Sequence, residues 1–313
     1  MQRSFYYWKT VFHLSPREQE TLQKLDVRQL YVKFFDVEWN SQRNIPQPAA
    51  KSIFQQAPPQ GLIITPVVFI TQEPLKNSSA EQLDTLAANV AKLLSSIASS
   101  NRLSLSREIQ IDCDWTVTTK VRYFQLLEAL HQQPFFRGKT VSATIRLHQL
   151  KFRSQTGVPP VSKGLLMCYN MGNLRHPQTK NSIIEGEELK KYTSNMDNYP
   201  LPLDVALPIF DWYILFEGNA YKGLVRDFSP SAELAKQERI VFRNDTTFCG
   251  YTFKAGQWLR HEQSHAAVVQ NCAALVRKKL KAKELTVILY HLDESHLTNY
   301  SLHELESFYN RLR

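Results

Sequence analysis

The sequence predicts a (β/α)8 barrel forming a single domain over residues 1–313, with an insertion at 218–256. Three observations carry that expectation. Eight short apolar runs recur along the chain, and helix-start signals separate several of them, which is the rhythm of a parallel sheet covered by helices. The chain of 313 residues is long enough for one such barrel of roughly 250 residues plus insertions. One run, Glu108–Trp115, separates an apolar from an acidic face with a period of two, as an inward/outward barrel strand does.

Taken in order, strands are expected at Phe5–Phe12, Leu30–Trp39, Gly61–Ile70, Glu108–Trp115, Thr140–Arg146, Gly164–Asn170, Leu203–Phe210 and Leu285–His291. Ser15-Pro16-Arg17-Glu18 reads as a capping box with proline in the first helical turn. Ser78-Ser79-Ala80-Glu81 reads as a second box, opening a helix with Leu83, Leu86, Val90, Leu93 and Leu94 on one face. Ser301-Leu302-His303-Glu304 reads as a third, opening the last helix. Residues 40–60, rich in Gln and Pro, leave room for a short helix around Ala49–Gln56. The long stretch before the helix near Ser264–Leu280 has room for an extra hairpin of Arg239–Phe242 with Thr247–Phe253. Long insertions in barrels usually follow the strands, on the face that carries function.

Composition narrows the classes. A hydrophobic share of 43% with 21% charged residues is that of an ordinary globular protein. No apolar run reaches the roughly 18 residues of a membrane span. The start of the chain lacks the charged, apolar and small-residue order of a leader. The compartment is left open: cytoplasmic if the chain is complete, exported to the periplasm or cell surface if a leader was removed ahead of Met1. The net charge of +9 collects partly in Arg277–Lys283, where cations at a helix end suit the dipole and face water. No nucleic-acid-binding motif accompanies it, so no nucleic-acid partner is expected. Cys113, Cys168, Cys249 and Cys272 show no Cys-x-x-Cys spacing, which excludes the common zinc and thioredoxin patterns; the leading reading expects no metal or cofactor. Cys113 and Cys168 fall in strands four and six. With a strand between them they lie about twice 4.8 Å apart, beyond disulfide reach, and should be buried thiols.

The polar strand ends carry the chemistry. In Glu108–Trp115 the residues Ile109, Ile111 and Cys113 should face helices, and Gln110, Asp112 and Asp114 the barrel interior. Asp112 and Asp114 would lie roughly 6.6 Å apart along the strand. Like charges in a partly dry pocket raise one pKa, as acid/base work requires. Asp36 and Glu38 end the second strand, Tyr169 and Asn170 the sixth, Asp211 and Trp212 the seventh, and His291 with Asp293 the eighth. Ser142, Thr144 and Arg146 share one face of the fifth strand, where Arg146 could pair with an acidic residue of strand four. Trp39, Trp115, Tyr169 and Trp212 supply the flat faces that sugar rings stack on.

Asp112-Cys113-Asp114-Trp115-Thr116 resembles the end of the DxxDxDxE strand-four motif of family 18 glycoside hydrolases, the chitinase-like barrels. Met167-Cys168-Tyr169-Asn170 resembles that family's Met-x-Tyr-Asp/Asn motif on strand six. The resemblance implies that Asp114 orients and polarises the catalytic centre and that Tyr169 hydrogen-bonds the reacting sugar. Geometry separately predicts that Asp114 lies within hydrogen-bond reach of Tyr169, since inward residues at the tops of strands four and six face a common space above the barrel core. The resemblance also marks two departures. Thr116 stands where the family carries its acid, and Ile109 where it carries its first aspartate. Threonine cannot protonate a glycosidic oxygen.

Three functions follow. The first is a glycoside-hydrolase-like barrel acting on a poly- or oligosaccharide, its acid and base drawn from Asp112, Asp114, Glu38, Asp36 and Asp293, with Tyr169 in support. Trp39, Trp115, Asn170, Trp212, Arg146 and His291 would then join in holding the glycan. The second is a non-catalytic carbohydrate-binding or surface-assembly barrel. The third is a metal-dependent hydrolase using Asp112, Asp114 and His291, which the scattered histidines disfavour. Carboxyl groups about 5–9.5 Å apart across the pocket would favour hydrolysis. An aspartate locked against arginine would favour binding.

Overall fold

The computed structural model describes residues 1–194, 196–225, 228, 230–231, 233–281 and 284–313. Eight parallel strands close into a barrel: β1 (Gln2–Tyr7), β2 (Gln29–Asn40), β3 (Ile63–Ile70), β4 (Glu108–Cys113), β5 (Thr140–Arg146), β6 (Lys163–Met167), β7 (Leu203–Pro208) and β8 (Thr286–Tyr290). Closure is explicit, since β1 pairs in parallel with both β8 and β2. Each strand begins within three residues of its expected position.

Helices Pro16–Lys24, Ala80–Ser100, Lys120–Gln132, Gly186–Thr193, Ala266–Arg277 and Leu302–Asn310 cover the outside. The boxes at Ser15 and Ser301 form as expected. The second box forms one residue later, between Ser79 and Gln82, because Ser79 is the residue whose side chain accepts the Gln82 N–H. The helix expected at Ala49–Gln56 does not form. Ile45–Ala49 is instead an antiparallel strand on the outer half of β2. Pro46 and Pro48 alternate there, forcing extended backbone at Ile45 and Gln47 and lacking the N–H groups an edge strand can spare.

Between β7 and the helix Ala266–Arg277 the chain builds a four-stranded antiparallel sheet from Asp211–Glu217, Ala220–Val225, Arg239–Val241 and Gln257–Gln263. The expected hairpin is differently wired. Arg239–Val241 pairs with Trp258–Arg260, while Thr246–Phe248 and Tyr251–Phe253 form their own small hairpin. Residues 226–227, 229 and 232 of the predicted insertion, and Ala282 and Lys283 of the basic run, lie outside the described residues. Among the described residues no helix is long and apolar enough to cross a membrane.

The phase of β4 is as predicted. Tyr6 of β1 donates its hydroxyl to Gln110 across the barrel, so both side chains are interior. Ile109, Ile111 and Cys113 are fully buried on the other face, where Tyr123 of the covering helix donates to the Ile111 carbonyl at 3.3 Å. Below Gln110, Glu108 accepts from Tyr31 at 3.0 Å and Ser142 at 2.6 Å. Lys163 bridges Glu108 at 2.9 Å to Asp204 at 2.5 Å. This satisfied polar plug closes the N-terminal end of the barrel and leaves the other end open for a site. Cys113, Cys168 and Cys272 are buried thiols, and none of the four cysteines forms a disulfide.

Candidate functional site

A cavity of about 1030 Å³ opens at the C-terminal ends of the strands. It is large enough for several sugar rings, ordinary ligand pockets running from about 300 to 1,000 Å³. Its floor is Asp112, Asp114, Arg146, Met167, Tyr169 and Asn170, and one wall is Trp8, Phe69, Phe210, Trp212 and Tyr290. A second wall is polar: Lys9, Asp211, His261, His291, Asp293 and His296.

Register places the floor. Asp36, Phe69 and Asp112 are direct partners across β2, β3 and β4. Asp112 is 5% exposed and accepts the Thr144 hydroxyl at 2.6 Å. Burial first, and then the charge of Asp114, raise its pKa from 3.8 to about 7, against the pull of Thr144 and Arg146. The last side chain on the inner face of β5, Arg146, reaches Asp114 through Nε and Nη2, one to each carboxylate oxygen. That two-point geometry is the strongest form of carboxylate recognition. Burial would lower the Arg146 pKa, but the hydrogen bonds and charge of Asp114 outweigh it and raise it. Gln149, buried at the start of the next helix, accepts the Arg146 N–H at 2.7 Å and donates to the Trp115 carbonyl at 2.9 Å. The two strand ends are thereby fastened together.

Tyr169 does not meet Asp114. Its buried hydroxyl has no hydrogen-bond partner among the described residues, while Arg146 holds both carboxylate oxygens of Asp114. Burial raises the Tyr169 pKa well above its usual value, so this group is a neutral donor on the floor. Asn170 follows in a left-handed conformation (φ 55°), which asparagine tolerates, and its N–H donates to the Ile183 carbonyl at 2.7 Å.

Several expected residues lie elsewhere. Glu38 is exposed and Trp39 half-buried, both on the outer half of β2 that pairs with Ile45–Ala49, outside the cavity lining. Asp36 is held by Lys33 at 3.1 Å. Trp115 is 0% exposed: it has the outward phase of Cys113, stacks on Tyr123 at 5.1 Å and donates to the Thr156 carbonyl at 2.9 Å. Thr116 is exposed in the turn after β4, its hydroxyl 2.9 Å from that of Thr118. It does not line the cavity.

The polar wall joins residues from three segments. Asp211 accepts from His261 at 2.8 Å and lies 3.7 Å from His296. Burial would raise its pKa, but the two imidazoles outweigh it and hold the carboxyl well below its ordinary range. Asp293 caps the short turn of helix at Glu294–Leu297 and pairs with Lys9 at 3.3 Å. Ser295 and Lys9 outweigh its burial and lower it to about 2. Burial, and then His296, push His291 down to about 3, so its ring is neutral. Among the described residues no three or more His, Cys, Asp or Glu side chains are grouped to hold a metal ion. Trp8, Phe69, Tyr290, His261 and His296 were not predicted for the site. Trp8 lay inside an apolar run without distinguishing marks, and His261 and His296 sit in no recognisable spacing.

No family model matches the sequence, and no curated protein sequence matches it. Solved structures do. A chitinase from Chromobacterium violaceum superposes with TM-score 0.54 at 11% identity, over 98% of each chain. The group IV chitinase of Ostrinia furnacalis, solved with allosamidin, gives 0.56 at 13% identity over 99% of this chain and 98% of that one. The spore cortex-lytic enzyme SleL of Bacillus megaterium gives 0.56 at 13% over 98% and 74%. The chain therefore has the fold of the chitinase-like (β/α)8 barrels.

Proposed function

We propose that this protein is a carbohydrate-binding barrel that takes a glycan into the open end of a chitinase-like fold and holds it without cleaving it. The observation that carries this reading is the two-point pairing of Arg146 with Asp114. A carboxylate committed to a guanidinium is a fixed part of the floor, and Thr116 at the motif's acid position neither ionises nor enters the cavity. What is left suits recognition. The aromatic wall offers ring faces, and the exposed Asn170 amide supplies polar contacts for sugar hydroxyl or acetamido groups. On this reading barrel and inserted sheet work as one domain, since both line the same cavity.

One observation favours a second reading. Asp112, titrating at about 7, is about half protonated at neutral pH, the range a general acid works in, while Asp211 and Asp293 across the cavity are ionised. Isothermal titration with chitohexaose and soluble peptidoglycan fragments, followed by mass spectrometry of the same mixtures, separates the two. The binding reading expects saturable heat and intact oligosaccharide, with Asp114→Asn weakening affinity modestly. Shortened products that vanish in Asp112→Asn would replace it by the hydrolytic one. No heat with any glycan would remove both.

A further inference from the structure

Glu262 lies outside the cavity lining, yet its buried carboxylate gathers donors from three segments of the site. Its Oε2 accepts the Trp212 indole N–H at 2.8 Å, the Ser182 N–H at 2.9 Å and the Ser182 hydroxyl at 2.5 Å. Its Oε1 forms an ion pair with Arg260 Nε at 2.8 Å, both side chains being almost wholly buried. Arg260 in turn donates to the carbonyls of His176 at 2.7 Å and Leu174 at 2.9 Å. The strand Gln257–Gln263 thus grips the loop that leaves Tyr169 and Asn170, and the same carboxylate fixes the indole that walls the cavity. An isolated buried ion pair is costly and does little for stability beyond a well-packed apolar pair. Here Oε2 accepts three hydrogen bonds while Oε1 is paired with Arg260 by charge alone, and the donors belong to groups that face or flank the cavity.

We propose that Glu262 is a positioning residue for the ligand platform: it sets the plane of Trp212 and the height of the Tyr169–Asn170 loop, and so governs affinity without touching ligand. This rests on the carbohydrate-binding reading. In Glu262→Gln the shape is kept, but the amide cannot accept from Trp212 and Ser182 on one side while also pairing with Arg260 on the other. The test uses the full chain and two readouts. In amide-and-indole NMR spectra the protein gives signals from five tryptophans, and Trp212→Phe identifies that of Trp212. Glu262→Gln should move this indole N–H resonance upfield as its charge-assisted bond weakens, and raise the Kd for chitohexaose about tenfold, the equivalent of about 1.4 kcal/mol. Ser182→Ala removes a donor competing for the same oxygen and should move the resonance downfield, which keeps the idea testable if Glu262→Gln does not fold. An unmoved Trp212 resonance, or wild-type affinity in folded Glu262→Gln, overturns the proposal. If wild type binds no glycan, the carbohydrate reading fails on its own, and the two resonance shifts alone decide whether Glu262 holds the indole.

Discussion

Replacing Asp112 by asparagine removes a titrating group from the cavity floor while keeping its shape and the oxygen to which Thr144 donates at 2.6 Å. The folded carboxyl titrates at about 7 against 3.8 when unfolded. The folded state therefore holds this proton more tightly, and the group's contribution to stability is complete below about pH 4 and lost as pH rises to about 7. Moving the carboxyl from 3.8 to about 7 corresponds to an upper limit of about 4 kcal/mol. For 313 residues that is roughly 6 °C in Tm. The assay is denaturant unfolding of wild type and Asp112→Asn between pH 3.5 and about 8.5. The wild-type-minus-variant difference should fall across about pH 4 to 7 and be flat on either side. Asp114→Asn removes the second-largest cause of the shift and leaves Arg146 unpaired beside Asp112, so the same fall should end at lower pH. A difference that rises with pH, or one complete by about pH 4, would refute the reasoning and take away the acid on which the hydrolytic reading depends.

Trp115→Ala and Trp212→Ala should part company. The first empties a core site, costs about 3–5 kcal/mol in unfolding measurements and changes glycan affinity little; the second costs less stability and lowers affinity by titration calorimetry. Asp293, lowered to about 2, contributes stability that is present above about pH 4 and lost as pH falls towards 2, so Asp293→Asn should flatten the acid limb of the stability curve. In a thiol-reagent titration of native protein, Cys249 should react first, with buried Cys113, Cys168 and Cys272 released only on unfolding. Thr116→Glu should give no chitinase-like product by mass spectrometry, because position 116 faces solvent in the turn and Arg146 still holds Asp114.

The barrel was legible because its signals are local and redundant. Apolar runs mark strands wherever they fall, and the inward face of β4 could be read from alternation alone, through Gln110, Asp112 and Asp114. The cavity lining was legible where strand ends carried polar residues, as at Asp112, Asp114, Arg146, Tyr169 and Asn170. Legibility failed where the alternation was not followed beyond the barrel. Trp115 follows the phase of Cys113 and so went outward, and Glu38 lies on a strand that outruns the barrel and pairs with Ile45–Ala49. The polar wall was illegible for a different reason. His261 comes from the inserted sheet and His296 from a turn after β8, and their meeting at Asp211 is tertiary.

The step from motif to function turns on register. Gln110 sits opposite Ser142, so two inward positions higher Asp114 must sit opposite Arg146. The short motif around Asp114 does not contain that information, since the arginine is 32 residues away. An aspartate able to turn towards a ligand and an aspartate held flat by a guanidinium have the same neighbours in sequence. Their chemistry differs because two-point pairing fixes orientation and charge together. Tyr169, without the Asp114 partner expected for it, keeps a buried hydroxyl with no hydrogen-bond partner among the described residues. On the carbohydrate-binding reading, one residue on the neighbouring strand turns an acid/base floor into one built to hold.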